Sequence, residues 1–489
     1  MRIFLRACRL LTRNIKNPTW GTAIGIGVLT LATGCTSRPT GDPFAITYEA
    51  FGIVLVAALV GRFLARRLNV SLVLGEICMG IIIGTVLSLS GRPLVTILRH
   101  QSTIQEIIAK LDDDVPLSKA VASTIDDHNL EAPEYEVLSE TFAAGGAGRF
   151  IQLARVLLLF SSIGIAMMLF TVGLQSNISE IIRRGPTAIV IACTGIVVSG
   201  VLGYLATTLL FPGADPLVPL FIGGALCASS TGMTARVFGE LNLMESPEAK
   251  IVLSAAVFDD VLGLVILAIV SGIVSTGSVQ LLPMALILLK AGLFLTAMVL
   301  IGLYVLPRIV PSIEQLDPQQ IRLLFPIVLL LLICWLADFV GLAMTIGAFS
   351  AGLIINETLF SKTTDGQLTV QRLVAPIEGI FVPVFFVLMG MQVDITLMAD
   401  PKVIGAGLVM TVVAILGKIG VGIFLPANVR KLAVGLAMIP RGEVALIFMS
   451  IGKTLGVINA QHYTMIVVVV LMTIAITPPL LQRAFRQGH

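Results

Sequence analysis

Two adjacent aspartates, Asp259 and Asp260, lie in a stretch that otherwise has the composition of a membrane-spanning helix, IVLSAAVFDDVLGLVILAIVSG (residues 251–272). The 29 residues after the pair, Val261 to Leu289, carry no charge. A carboxylate at membrane depth costs on the order of a few kcal/mol, so acidic residues there mark ion or proton pathways. The pair therefore predicts a site that binds a cation and a proton in alternation.

Helix geometry gives the two carboxylates different surroundings, because successive residues point about 100° apart. Two unpaired buried carboxylates repel, and one of them takes up a proton near neutral pH. A small alkali cation is a hard ion that needs oxygen ligands, which carboxylates, hydroxyls and free backbone carbonyls supply. The alternative is a polar pair at a helix end, which Lys250 disfavours because it marks the inner end about two and a half turns earlier.

The composition is that of a polytopic membrane protein. The 489 residues are 56% hydrophobic and 12% charged, with a mean hydropathy of +0.99, whereas about a quarter of the residues in soluble domains are charged. Six cysteines are scattered along the chain, and CxxC, HExxH and Walker-type motifs are absent from the sequence. We therefore expect no resident metal or other cofactor, no enzymatic activity and no nucleic-acid partner.

Residues 1–35 have the shape of a targeting segment. A basic cluster precedes the short apolar run GTAIGIGVLTLAT: Arg2, Arg6, Arg9, Arg13 and Lys16. The sequence LATGC is a loose lipobox that would make Cys35 a lipidated N-terminus. A signal peptide and a retained N-terminal anchor helix stay as alternatives, and both place residue 40 outside the cell.

Thirteen candidate spans follow: 46–64, 69–89, 152–174, 186–210, 216–238, 248–272, 281–306, 322–338, 339–357, 373–393, 402–425, 431–453 and 462–482. The proposed inner loops carry fifteen basic residues: Arg62, Arg66, Arg67, Arg183, Arg184, Arg236, Lys250, Arg308, Arg322, Lys362, Arg372, Arg430, Lys431, Arg483 and Arg486. The short outer loops carry only Lys402 and Lys453. Because basic residues stay on the cytoplasmic side, this asymmetry predicts an N-terminus outside and a C-terminus inside. The expected location is a bacterial-type plasma membrane.

One outer segment, residues 100–148, is long and acidic. It holds ten acidic residues and two lysines, and it ends in the sequence AAGGAG. Two short amphipathic helices are predicted near 103–112 and 117–125. We interpret the segment as a solvated insertion, with a cation-collecting vestibule or a partner-binding site as the alternative.

The fifth and twelfth spans have unusual compositions for lipid-facing helices. The fifth contains GGALCASSTGMTARVFGELN, which includes Ser230 and Thr231, and the twelfth contains AMIPRGEVAL, with Pro440 and Gly442. Interrupted segments at matching positions of two halves point to a transport site. Spans 4–6 and 11–13 would therefore be repeats, and an odd number of crossings between matching members makes them inverted.

Lys418 is the predicted counter-charge of the aspartate pair. It lies well inside the eleventh span, where a buried lysine keeps its proton only beside a carboxylate. The alternative is a lysine that extends its ammonium group to the inner interface.

Other charged residues also lie within spans. Arg441 and Glu443 lie near the predicted break of the twelfth span, where they pair with each other or with other helices. We interpret them either as a structural or regulatory ion pair or as direct participants in transport. Glu76 and Glu378 are interpreted as structural carboxylates and are not assigned to the ion path.

At this point the sequence resembles a known family, the monovalent cation:proton antiporter-2 family. The resemblance rests on SAAVFDDVLGL, SSTGMTARVFGELN, LADFVGLAMTIGAFSAGLIINE, FVPVFFVLMGMQVD, LGKIGVG and PRGEVALI, which occur in the family order over roughly residues 46–483. It implies an all-α NhaA-like fold with about thirteen transmembrane helices and two crossed, broken helices. Core repeats at 186–272 and 402–483 would move against a dimerisation domain at 46–174 and 322–393, and the protein would be a homodimer.

The resemblance also implies roles for individual residues. Asp260 matches the ion-binding aspartate, and Asp259 matches the aspartate that pairs with the lysine represented here by Lys418. Independently of the resemblance, the need of a small cation for oxygen ligands predicts Ser230, Thr231 and carbonyls of the broken helices as auxiliary ligands of Na⁺ at Asp260. The Asp-Asp pair is similar to that of NapA-type Na⁺/H⁺ antiporters, which are usually electrogenic, whereas Asn-Asp is typical of electroneutral exchangers and Gln-Asp of Kef-type potassium systems.

Three other functions are weighed against exchange of Na⁺ or Li⁺ for protons. The fifth span reads SSTGM where SATSVG is commoner, which keeps K⁺/H⁺ exchange as an alternative. A non-transporting membrane sensor would use the acidic insertion as its ligand domain. An intramembrane aspartyl protease is disfavoured, because its two carboxylates come from different helices and the sequence has no GxGD motif.

Overall fold

The computed structural model describes most of the predicted membrane domain: residues 45–68, 70–89, 147–174, 178–276, 281–314, 318–342, 344–355, 369–393, 400–425 and 429–486, with single positions between 94 and 123. Residues 1–35 and nearly all of the acidic insertion 100–148 lie outside these ranges, so both expectations stay predictions. Some side chains inside the helices also lie outside the description. Every regular element among the described residues is helical, which confirms the all-α fold class.

The helices of the first half are α1 (Ala45–Leu68), α2 (Leu72–Leu89), α3 (Ala147–Leu174), α4 (Ile178–Leu210), α5 (Leu217–Cys227), α6 (Thr231–Glu240), α7 (Pro247–Thr276), α8 (Leu281–Leu300) and α9 (Leu306–Glu314). Those of the second half are α10 (Pro318–Phe339), α11 (Met344–Ile354), α12 (Val370–Met391), α13 (Pro401–Ile419), α14 (Lys431–Ala437), α15 (Glu443–Thr454) and α16 (Ala460–Arg486). A π-helical turn, Ile301–Val305, joins α8 to α9.

Each predicted span coincides with a helix or a pair of helices. Nine helical segments within the described ranges are long and apolar enough to cross a membrane, with α5–α6 and α8–α9 each counted as one segment. The helices α2, α11 and α15 contain shorter apolar segments. At 11 residues, α11 is about 16 Å long, against about 30 Å for the hydrocarbon core of a bilayer. The total of thirteen crossings therefore stays a prediction.

The fifth predicted span is interrupted in its middle. The helix α5 ends at Cys227, and the next residues are extended, with φ −78° and ψ 135° at Ala228 and φ −87° and ψ 107° at Ser230. The Ser230 hydroxyl accepts a hydrogen bond from the Met233 amide and so caps α6. Serine is a favoured N-cap because its short side chain reaches an amide that has no partner in the first helical turn.

The twelfth predicted span is interrupted in the same way. Five non-helical residues, 438–442, separate α14 from α15. Pro440 lies at their centre and has no N–H group to continue a helical ladder. The structure thus contains both interruptions that the glycine, serine and proline content predicted.

The helices pack into two groups. The first, which we call the panel, consists of α1–α3 and α10–α12, and the second, which we call the core, consists of α4–α7 and α13–α16. Helices α8 and α9 connect the two groups along the chain. The panel contains the helices of residues 46–174 and 322–393, and the core contains those of residues 186–272 and 402–483. The dimerisation and transport roles expected for these ranges stay predictions.

Glycines allow the panel helices to approach each other closely. A Cβ atom added to Gly390 on α12 would lie 2.2 Å from the Ile77 carbonyl oxygen on α2, and one added to Gly352 on α11 would lie 2.0 Å from the Phe170 carbonyl oxygen on α3. Small residues of this kind permit backbone-to-backbone packing between membrane helices.

We expect Gly390→Ala to destabilise the panel by about 1–3 kcal/mol, because the added methyl group must push α2 and α12 apart. Thermal unfolding of the detergent-solubilised protein measures the effect. Gly379→Ala on the same helix is the matched control, because its Cβ would have nothing within 4 Å. Equal unfolding midpoints for the two variants would contradict the close packing.

Candidate ion-binding site

The two interruptions contact each other directly. The backbone amide of Ser230 donates a hydrogen bond of 2.9 Å to the carbonyl oxygen of Pro440, and the Thr234 hydroxyl donates one of 2.9 Å to the carbonyl oxygen of Ala437. Residues that leave a helix lose their helical hydrogen-bond partners, and buried backbone groups need replacements. The two interruptions therefore satisfy some of each other's backbone hydrogen-bonding groups.

The halves of the interrupted segments pair in a specific way. The helix α5, upstream of the first break, packs against α15, downstream of the second. Two segments that run in opposite directions make this pairing. The arrangement brings two helix N-termini and two helix C-termini towards the crossing, where their partial charges of opposite sign lie close together.

Asp259 and Lys418 lie together beside this crossing. The Lys418 Nζ atom is 3.4 Å from Asp259 Oδ1, and both side chains are fully buried. The second oxygen, Asp259 Oδ2, accepts a hydrogen bond of 2.6 Å from the Ser229 amide. Asp259 on α7 therefore links the first interruption to α13, and Lys418 is not extended to the interface.

Arg441 is the second buried cation of the site. Its Nη1 atom donates to the Ser229 hydroxyl at 3.3 Å and to the Met438 carbonyl oxygen at 3.2 Å, while its backbone amide donates to the Thr473 hydroxyl at 3.2 Å. It also interacts electrostatically with Asp259. Within the described part of the chain, its Nε and Nη2 atoms have no hydrogen-bond partner.

The remaining predicted residues can be located only by their backbones or neighbours. Asp260 and Thr231 lie in α7 and α6, and Glu443 begins α15, but the side chains of all three lie outside the description. The pairing of Arg441 with Glu443, one of the two predicted alternatives, therefore stays a prediction. Ser230 is buried at the crossing, and its Oγ atom lies 2.6 Å from the position that a Cβ atom of Gly442 would take.

The helix α7 passes both interruptions close to Asp260. A Cβ atom on Gly263 would lie 3.5 Å from Ala228 in the first interruption and 3.8 Å from Val444 near the second. Residues three and four apart share a helix face, so Gly263 lies on the side of α7 that carries the aspartate pair. The buried Asp259 carboxylate, the Ser229 and Ser230 hydroxyls and the backbone of both interruptions therefore lie in one region.

Sequence reasoning missed two contacting residues, Ser229 and Thr473. Ser229 joins Asp259 to Arg441, and Thr473 on α16 holds the Arg441 backbone. The small polar residues of the fifth span were a signal for Ser229, although Ser230 and Thr231 were selected. Thr473 lies in an ordinary apolar stretch, VLMTIAIT, and has no comparable signal.

We expect Gly442→Ala to disrupt the crossing, because its added methyl group would lie 2.6 Å from Ser230 Oγ and 2.9 Å from Ser230 Cβ. Ion flux in proteoliposomes should fall at least about tenfold, as for other small displacements of a binding site. Gly239→Ala on α6 is the control, because nothing lies within 4 Å of its Cβ position. Wild-type flux in the Gly442 variant would show that the two interruptions need not touch.

Interrupted helices that cross beside buried charged residues are the arrangement of secondary transporters. Residues 54–486 match the family model described as "Sodium/hydrogen exchanger, transmembrane". The chain belongs to this family and is an integral membrane protein. The antiporter resemblance expected from the sequence motifs is confirmed at this level.

Several characterised proteins are similar to the chain. The high-affinity Na⁺/H⁺ antiporter NhaS3 of Synechocystis is 31% identical over 467 residues, which cover 93% of this chain and 94% of the relative. The Na⁺/H⁺-K⁺ antiporter GerN of Bacillus cereus is 30% identical over 342 residues, 69% of this chain and 85% of the relative. The structure of the sodium proton antiporter MjNhaP1 from Methanocaldococcus jannaschii has a TM-score of 0.56 at 16% identity, over 91% of this chain and 98% of that one. This last likeness concerns the fold alone.

Proposed function

We propose that the protein exchanges Na⁺ or Li⁺ for H⁺ across a membrane by alternating access. The observation that carries the proposal is the buried Asp259–Lys418 pair at the crossing of two interrupted helices, one residue from Asp260. Membership of the sodium/hydrogen exchanger family and similarity to a protein named as a Na⁺/H⁺ antiporter support it.

In this proposal Asp260 binds a proton and a cation in turn. Ser230, Thr231 and the carbonyl groups of the interruptions complete the oxygen ligands of the cation, which displaces the proton because both neutralise the same carboxylate. No cofactor takes part. Arg441 and Glu443 maintain the second interruption or regulate the site.

The Asp259–Lys418 ion pair breaks and re-forms during the cycle. When Lys418 also releases its proton, more than one positive charge leaves for each Na⁺ that enters the site, and the exchange is electrogenic. Asp259 keeps its contacts to Ser229 and, through Ser229, to Arg441 while the pair is broken. The positive charge of Arg441 near Asp259 supports this step, because a buried carboxylate without a counter-charge is costly.

Alternation of access would come from movement of the core against the panel. The proposal includes a homodimer formed through residues 46–174 and 322–393, in a bacterial-type plasma membrane with the N-terminus outside and the C-terminus inside. One face of α10 presents large apolar side chains to lipid or to a second copy: Leu324, Val328, Leu331, Trp335 and Phe339.

Exchange of K⁺ for H⁺ is the second candidate function. It is favoured by one specific observation, the similarity to GerN, which is named as a Na⁺/H⁺-K⁺ antiporter. Both functions use the same site, because K⁺ is also bound by oxygen ligands.

The test is proton flux in proteoliposomes that contain the purified protein under an imposed pH gradient, with Na⁺, Li⁺ or K⁺ added in turn. Dissipation by Na⁺ and Li⁺ alone is the expected result. Dissipation by K⁺ as well would favour the second candidate. Absence of any response would contradict both and would favour a sensor that uses the acidic insertion.

A further inference from the structure

Five charged residues lie at the boundary between the panel and the core, away from the aspartate pair. Arg62, Glu76 and Glu378 belong to the panel helices α1, α2 and α12, and Arg236 and Glu240 belong to the core helix α6. The mechanism proposed above uses none of them. Three carboxylates thus share two guanidinium groups, and of the five side chains Glu76 is fully buried while the other four are partly exposed.

Glu240 makes a direct contact from the core to the panel. Its Oε1 atom accepts a hydrogen bond of 3.1 Å from the backbone amide of Leu72, the first residue of α2. A carboxylate at a helix N-terminus is favoured both by the unpaired amides and by the helix dipole. The same oxygen lies 3.5 Å from Arg236 Nε, one turn earlier on α6.

Glu76 on α2 interacts electrostatically with Arg236 and Glu240, and one of its oxygens has no hydrogen-bond partner among the described residues. Its side chain is 0% exposed, and its Oε1 atom accepts a hydrogen bond from Arg62 Nε. Among the described residues, Glu76 Oε2 has no hydrogen-bond partner. A buried carboxylate oxygen in this condition is unfavourable by comparison with one that accepts a hydrogen bond.

Arg236 on α6 has an unsatisfied hydrogen-bond donor. Its buried Nε atom has no hydrogen bond within the described ranges, since its approach to Glu240 is only an ion pair. Arg236 is near enough to interact electrostatically with both Glu76 and Glu378, whose Oε2 atom accepts a hydrogen bond of 3.0 Å from the Thr171 hydroxyl. The core therefore has an unsatisfied donor, Arg236 Nε, and the panel has an unsatisfied acceptor, Glu76 Oε2, on two residues that interact electrostatically.

We propose that Arg236 is a positioning residue that exchanges Glu240 for the free oxygen of Glu76 when the core moves against the panel. The exchange breaks the contact between Glu240 and Leu72 and joins α6 to α2 by a new ion pair. The switch stabilises the second position of the core. This inference rests on the proposed function, because it requires that the core moves during exchange.

The test compares exchange turnover in proteoliposomes for the wild type, Arg236→Gln, Glu76→Gln and the double variant. Each single substitution is expected to lower turnover about tenfold, within the range of coupling between charged neighbours. The double variant should be no slower than the slower single variant, because either change removes the same interaction. Arg236→Lys should recover part of the turnover, because it keeps the charge but has a different geometry.

Two further measurements separate this role from a merely structural one. Equilibrium Na⁺ binding to the detergent-solubilised variants should stay within about twofold of the wild type, since the ligands are untouched and only the movement is altered. Arg372→Gln, an exposed arginine on the panel helix α12, is the matched control and should retain wild-type turnover.

Wild-type turnover in Arg236→Gln, or turnover losses that multiply in the double variant, would overturn the switch. Unfolding midpoints identify a variant that does not fold. In that case the turnover of Arg236→Lys and of Glu240→Gln is compared with that of the wild type instead. A wild type without any exchange would contradict the proposed function itself. The two failures are therefore distinguishable.

Discussion

Replacement of Asp260 by asparagine is expected to abolish exchange. Asparagine has almost the same shape as aspartate, but it can neither bind a proton in this pH range nor offer a full negative charge to a cation. The site would then keep the Asp259–Lys418 pair but lose the carboxylate that binds a proton and a cation in turn. Proton flux and Na⁺ uptake should both fall to the level of protein-free liposomes.

The control for this substitution is Asp338→Asn on the panel helix α10, which removes an exposed carboxylate. It should leave flux unchanged. Retention of wild-type flux by Asp260→Asn would contradict the assignment of Asp260 and direct attention to Asp259. Comparable unfolding midpoints for the two variants would exclude misfolding as the cause of the loss.

Replacement of Lys418 by alanine should change both stability and charge movement. Asp259 would remain in a fully buried position with its nearest cation removed, and a broken buried pair costs about 3–5 kcal/mol. The number of protons moved per cation should fall, because Lys418 no longer contributes one. Unfolding midpoints measure the first effect, and flux under an imposed membrane potential measures the second.

Two further variants make this prediction specific. Lys290→Ala removes an exposed lysine on α8 and should change neither quantity. The double variant Asp259→Asn and Lys418→Met should regain much of the lost stability, because two neutral partners leave no unpaired charge behind. Unchanged dependence of flux on membrane potential in Lys418→Ala would contradict the role of the lysine in charge movement.

Residues whose presence in a membrane is costly were the ones that sequence reasoning located best. Asp259 and Lys418 attracted attention because burial of a charge requires a partner, and the structure brings them together. The two helix interruptions were also predictable, because Pro440 and the small polar residues around Ser230 are poor components of a continuous helix. Local physical chemistry was sufficient in these cases.

Contacts between distant segments were not predictable in this way. Arg441 was predicted to pair with Glu443, two residues away, or with other helices near the break, and no pattern in the sequence indicated Ser229, 212 positions earlier in the chain, as a partner. The contact of Glu240 with Leu72 spans 168 positions. Neither contact has a local pattern in the sequence, because each arises only when two interrupted helices cross or when two packed groups meet.

Helix lengths show a similar limit. The predicted span 339–357 contains a helix of only eleven residues, α11, and the predicted span 281–306 continues through a π-helical turn into α9. Hydropathy identifies apolar segments, but it does not show whether their side chains contact lipid or the interior of the protein. The buried face of α11 packs against α3 and α10, so its apolar residues are explained without a complete crossing.

The most direct measurement is Na⁺ binding to the purified protein by calorimetry at several pH values, in buffers with different heats of ionisation. If one carboxylate holds either a proton or a cation, Na⁺ affinity falls as the pH is lowered and each binding event releases protons. Asp260→Asn should show neither heat of binding nor proton release. A Na⁺ affinity that does not change with pH in the wild type would contradict competition for one site, and with it the proposed mechanism of exchange.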